Sequence, residues 1–476
     1  MTFFTTIRRY GLSVLVLCLV PVMTACSLAP AFLQPEVPLE ASWVGIALEE
    51  QQKNGLMAHE LGWRDYFQDK QLQQFIEEAL KHNHDLRMAA LNADLAKAQY
   101  RVTRSASLPG IGVDAAASRS RTAGDLSYTG EASTGNVYTI GLGMAAFELD
   151  FFDRVKNQSE AMLNDYLQTL EARDAAQLAI ISAVAKAYYQ MRTNDALMQL
   201  AQRVQQVRKE SFSLTQFQVD AGTATVATLQ GMLSAIELAK ADYEARRRGW
   251  LQSRNTLSLL VGRPLSALEL DPPADLSTQF PPQTLLAALP SEVLRHRPDI
   301  RQAEYTLKKM NANIGVARAA FFPSISLTGS LGFASVALKN LFDGENFVWG
   351  VAPRLDLPLF DYGRRQANAK SMEIRQQMAV AHYIKTVQNA FVDINNALIA
   401  RSTLERQFTA INKSDAAIAE RLRLTRIQLQ EGLADGLALL DAEREHFTSR
   451  QGVLALQQRI LFNRVDLYIA MGGGLL

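Results

Sequence analysis

Apolar residues recur in steps of three and four through Ile374, Met378, Ala381, Ile384, Val387, Phe391, Ile394 and Leu398, then Leu404, Phe408 and Ile411. That spacing is one face of a helix. It lies within Arg364 to Glu431, sixty-eight residues without a Gly or a Pro. A single helix over that stretch would run roughly 100 Å at the helical rise per residue. The first half of the chain holds a twin, Met144 to Ala221, with the stripe Leu163, Leu167, Leu170, Leu178, Ile181, Val184, Tyr188, Met191, Leu197, Leu200, Val204 and Val207. No compact domain needs two rods of this length. They suit a protein that reaches across a distance.

After Pro323 the period changes from helical to alternating. Ile325, Leu327, Leu331 and Phe333 oppose Ser324, Ser326, Thr328 and Ser330, and between Asn346 and Leu359 the apolar set Phe347, Trp349, Val351, Leu355, Leu357 and Leu359 opposes Arg354 and Asp356. These are amphipathic strands. Weaker counterparts are Ile111, Val113, Ala115 and Ala117, then Tyr138, Ile140, Leu142 and Met144, with a polar loop expected from Ser118 to Asn136. Each strand is long enough to cross a bilayer when tilted. Four strands cannot seal a barrel, since single-chain barrels begin at about eight and open edges are not tolerated in lipid. Copies of the chain must therefore share a wall, and about twelve strands or more are needed for a usable lumen. The plainer alternative is a small soluble sheet packed under the helices.

The two halves resemble each other. A shift of 214 sets His82 on His296, Asp85 on Asp299, Arg104 on Arg318 and Pro109 on Pro323; 208 sets Phe152-Asp153 on Phe360-Asp361; 210 sets Gly222 on Gly432. One unit used twice is predicted, each copy running helix, strand, strand, long helix, shorter helix. Prolines mark the joints. The expected segments are a signal peptide at 1–25, an anchored N-terminal segment at 26–62, helices of the first repeat at 63–108, its β-hairpin at 109–150, and its long and short helices at 151–262. A Pro-rich linker follows at 263–293, then a helix at 294–322, the second hairpin at 323–359, and the second long and short helices with the C-terminus at 360–476.

Composition narrows the chemistry. The 476 residues are 48% hydrophobic and 20% charged with a formal charge of +1, which leaves no broad field for nucleic acid. Arg8, Arg9 and the short apolar core Leu12 to Met23 read as an export signal. Met23-Thr24-Ala25-Cys26 resembles a bacterial lipoprotein processing box, so Cys26 is the expected lipidation site, and Ser27 resembles the residue found after it in proteins sorted to the outer membrane. A plain signal peptide with an incidental cysteine is the alternative. Cys18 falls in the leader, so cysteine builds neither a disulfide nor a metal site in the mature chain. His82 and His84, two apart on a helix, point in different directions and do not suit a shared ion. The sequence has no Walker loop, Gly-x-Ser-x-Gly elbow or His-Glu-x-x-His motif. No cofactor and no catalysis are expected.

The runs Arg297-Pro298-Asp299-Ile300 and Ala312-Asn313-Ile314-Gly315-Val316-Ala317-Arg318-Ala319-Ala320-Phe321-Phe322-Pro323-Ser324-Ile325-Ser326-Leu327 closely resemble the TolC-like outer membrane efflux channels, in their OprM/NodT lipoprotein branch. Leu359-Phe360-Asp361-Tyr362-Gly363-Arg364 and Trp63-Arg64-Asp65-Tyr66-Phe67 are similar to that branch too. The resemblance implies an α+β membrane protein, a homotrimer whose twelve-stranded outer membrane β-barrel continues into a twelve-helix periplasmic α-barrel. It also implies a periplasmic adaptor and an inner-membrane pump as partners, with outer membrane lipid around the strands. The turns at Gly222 and Gly432 would then line the periplasmic tip. Through the Leu440-Asp441-Ala442 run, Asp441 matches a gate aspartate. The usual acid three residues earlier is Ala438 here, which leaves Asp435 as a candidate second ring. Crowded carboxylates would repel and favour cations. Plainer readings make Asp435 a helix cap and Asp441 a surface acid near a helix start. A lipid-anchored periplasmic scaffold without a pore is the rival to the channel.

Overall fold

The computed structural model describes residues 28–38, 58, 60–267 and 294–475. Cys26 and most of the 263–293 linker lie outside the described residues. The chain divides into two compact units, one of Met1–Glu36, Asn92–Thr169 and Gln302–Ile384, the other of Val37–Leu91, Leu170–Arg301 and Lys385–Leu476.

In the first unit, strands β1 (Ile111–Thr122), β2 (Ser133–Leu149), β3 (Ser324–Ser335) and β4 (Phe347–Asp356) form one antiparallel sheet in sequence order. The register aligns Val113, Leu142, Leu331 and Trp349 in one row and sets Ile140, Phe333 and Phe347 in another. All of them project from the same face, because side chains alternate along each strand. Among the described residues nothing covers that face: Trp349 is 71% and Leu331 48% exposed. A soluble sheet tucked under its own helices is therefore not what this chain builds. The opposite face carries Asp114, Gly141, Gly332 and Val348 in one row and Gly143, Ser330 and Gly350 in another.

One boundary differs from expectation. The polar loop expected from Ser118 to Asn136 is strand at both ends, with Arg119 paired to Asn136 and Thr122 to Ser133. Ladder bonds belong to the main chain, so a hairpin with water on both faces continues after alternation stops. The Gly- and Pro-free stretch from Met144 begins as strand through Leu149, within the hairpin expected at 109–150. Freedom from those residues permits a helix without requiring one. A bulge between Met144 and Phe147 adds a residue to β2; Ala146 there adopts φ 39°, and its N–H donates to Thr328 Oγ1 at 3.2 Å.

The long helices are α4 (Arg154–Asp220) and α7 (Arg364–Gln430), with α6 (Pro298–Ala319) preceding β3. Acids fix their starts. Lys156 N–H donates to Asp150 Oδ2 at 2.8 Å, and Asp361 Oδ2 accepts from Arg365 N and Nε at 3.2 and 2.7 Å.

The second unit is helical, with α1 (Trp63–Tyr66), α2 (Lys70–His82), α5 (Val226–Val261) and α8 (Gly436–Ala470) packed around α4 and α7, while α3 (His84–Ser105) runs from it into the first. Its core joins Trp63, Phe75, Ile76, Tyr188, Leu257, Leu461 and Tyr468, all under 2% exposed. Aromatic hydroxyls inside it are paired: Tyr188 donates to Asp69 Oδ2 at 2.7 Å and Tyr468 to Leu61 O at 2.8 Å. Burial pushes both hydroxyls far above the ordinary phenol range. The predicted stripes supply the inner faces, with Ile181, Val184 and Tyr188 on α4 and Val387, Ile394 and Leu398 on α7 all buried. Ile374 and Met378 stay open in a single chain.

Candidate gate at the helix turns

Helices α4 and α7 end in the same turn. Gly222 and Gly432 both adopt φ 73°, a left-handed conformation that glycine enters without strain. Thr223 N–H then reaches Gln218 O at 2.8 Å, and Leu433 N–H reaches Gln428 O at 2.7 Å. The next helix is capped in both repeats: Thr225 Oγ1 accepts from Thr228 N–H at 3.2 Å, and Asp435 Oδ1 from Ala438 N–H at 2.8 Å. Asp435 is thus placed as the N-cap of α8. Beside it Leu422, Leu439 and Ala442 form a small apolar cluster that joins α7 to α8.

Asp441 lies one turn into α8 with its side chain half exposed, accepting from Arg444 Nη2 at 2.5 Å and standing 4.0 Å from Arg421 on α7. Arg421 also pairs with Glu445. Arg423 keeps to its own helix, on Glu420 at 2.8 Å. Farther along, Asp415 accepts from Ser449 at 2.8 Å and Arg450 at 2.9 Å. The exposed pairs of Asp441, Arg421 and Arg423 each contribute little, whereas Asp415 is buried.

The buried pair is different. Glu443 is 8% exposed and receives Arg208 Nη1 from α4 at 2.8 Å and Arg426 from α7 at 3.6 Å, so one carboxylate joins three helices of both repeats. Burial raises its pKa above the ordinary glutamate range although both arginines pull it down, and Glu210 adds to the rise. Burial also lowers the Arg208 guanidinium. Sequence reading picked out Asp441 and Asp435 and passed over Glu443. Its signal was an acid two residues from Asp441 and an Arg one residue past the stripe position Val207, a pairing that means nothing until the chain is folded.

His82 Nε2 stands 3.6 Å from Glu78. Among the described residues no group of three or more His, Cys, Asp or Glu is placed to hold a metal ion, and no helix is long and apolar enough to cross a membrane.

The family model of the outer membrane efflux proteins matches residues 75–263 and 289–473. This chain belongs to that family. The two matched segments follow the two repeats. TtgC of Pseudomonas putida, described as a probable efflux pump outer membrane protein, is 38% identical over 459 residues, covering 95% of this chain and 93% of that one. CusC of Escherichia coli, a cation efflux system protein, is 36% identical over 465 residues, covering 96% and 98%. The open-state crystal structure of the Neisseria gonorrhoeae MtrE outer membrane channel superposes with a TM-score of 0.86 at 40% identity, covering 94% of this chain and 99% of that one. The fold is that of the family's trimeric outer membrane channels, an α+β membrane protein in which each protomer is an internal tandem repeat. The protein is an outer membrane efflux channel component, not a scaffold without a pore.

Proposed function

We propose that the channel is a passive exit duct of a tripartite exporter, closed at its periplasmic tip by the charged groups around Asp441 and opened by an iris-like shift of the tip helices. A periplasmic adaptor drives the shift and an inner-membrane pump supplies the energy. The observation that carries this reading is Glu443, a buried acid held by arginines of two other helices beside the turn. An arrangement so tied has two discrete states, joined or parted. Asp441 is the gate acid in this proposal. Asp435 sets the start of α8 with one oxygen, and its charge forms the second ring. The chain is anchored through lipid on Cys26.

Conductance of the detergent-extracted trimer in planar bilayers tests the gate. Asp441→Ala should raise it, and unchanged conductance in a normal trimer would count against the assignment. Asp435→Asn keeps a good cap and removes the charge, so a conductance equal to the unaltered protein's would leave Asp435 a cap alone. Cys26→Ala should abolish labelling with radioactive palmitate; retained labelling refutes the anchor.

A further inference from the structure

Residues 28–38, Leu-Ala-Pro-Ala-Phe-Leu-Gln-Pro-Glu-Val-Pro, have neither helix nor strand, yet side chains of α6 meet them in series. Asn311 Nδ2 donates to Pro30 O at 2.6 Å, and Arg318 Nη1 donates to Leu28 O at 3.4 Å. The Lys308 ammonium lies 5.3 Å from the Phe32 ring centre. Lys308, Asn311, Gly315 and Arg318 are spaced three, four and three apart, so they share one face of the helix. Gly315 sits in the middle of that face, and a Cβ there would stand 2.9 Å from Ala29 Cβ and 2.6 Å from Asn157 Nδ2 of α4. Only glycine lets the segment and α4 approach α6 together. From the third side Gln34 donates to Tyr383 Oη of α7 at 2.9 Å.

We propose that this face of α6 is a built seat for an extended peptide and that its occupant is the chain's own segment 28–34, a strap that fastens α4, α6 and α7 to one another. The chemistry of seat and strap agrees. Both hydrogen bonds from α6 end on main-chain carbonyls, which every residue offers, proline included. Prolines stand at 30 within the strap and at 35 and 38 just after it; they lack N–H donors and hold the backbone extended before it docks. A seat that asks only for carbonyls suits such a segment, and little conformational freedom remains to be lost on docking. Asn157 is 1% exposed and neither of its amide atoms has a protein partner. A buried amide left in that condition costs free energy, which the packing of strap and helices has to offset. The strap acts whatever closes the tip, so its failure and the gate's failure are separable.

The test uses the full-length, detergent-extracted protein, digested with chymotrypsin and followed by mass spectrometry, with the dissociation temperature of the assembly read on gels. In the unaltered protein the bonds after Phe32 and Leu33 should resist cleavage. Asn311→Ala with Arg318→Ala should raise the cleavage rate at least tenfold and lower the dissociation temperature by several degrees. Phe32→Ala with Gln34→Ala alters the strap and leaves the seat intact, so it serves even if the seat variant assembles poorly; it should speed cleavage after Leu33, whose side chain is already open, and lower the same temperature. Cleavage of the unaltered strap at the rate of a free peptide overturns the proposal. So does an unchanged dissociation temperature in the strap variant.

Discussion

At the scale of single residues, the proposed gate turns on where charge is buried. Replacing Glu443 by Ala would leave Arg208 inside without its partner, a change worth about 3–5 kcal/mol for a buried pair, so conductance should rise more than in Asp441→Ala. The pH dependence runs against intuition. Burial raises the Glu443 pKa, so in the closed tip this acid holds its proton more firmly than it would once solvated. Acidification towards the ordinary glutamate range of about 4.3 therefore favours the closed tip. That preference fades as pH rises through the raised value. Single-channel recordings should show open probability falling with acid in the unaltered protein and falling less in Glu443→Gln; an increase on acidification contradicts the assignment. Asp441 drew notice in the sequence because it sits in the Leu440-Asp441-Ala442 run. Glu443 was not, because its partner Arg208 lies 235 positions away and only folding joins them.

At the scale of elements the sequence spoke through period and punctuation. Alternation in β3 and β4 and the three-four stripes of α4 and α7 named those elements, and the Gly222 and Gly432 turns named their ends. Replacing Gly432 by Ala forces a side chain into φ 73° and should destabilise the turn by about 1 kcal/mol. Loss of helical protection over 428–434 in hydrogen exchange would register it. What could not be read was the β2 bulge, since Ala145-Ala146 has no turn signature, and the extension of β1 and β2 through serines, threonines and arginines. Both are decided by ladder pairing, the bulge against distant β3 and the extension within the β1–β2 hairpin, and local propensity does not report that.

At the scale of the whole molecule, the sheet makes sense only in an assembly. Trp349 stands in the apolar row, and Trp349→Arg places a charge on the lipid side, where the cost is about 2–4 kcal/mol near the bilayer centre. The heat-resistant trimer in outer membrane extracts should fall sharply, while Gly350→Ser, one residue along on the other face, should leave it nearly unchanged.

Among the described residues, the edges of that sheet, β1 on one side and β4 on the other, have no partner. Each protomer therefore completes its neighbours, and one defective subunit spoils a whole ring. In a cell making equal amounts of sound and pairing-defective chains, random mixing into threes leaves only about one eighth of rings free of defect. Alleles that damage either edge should for that reason act dominantly, and damaged chains that never reach the ring should behave as recessive.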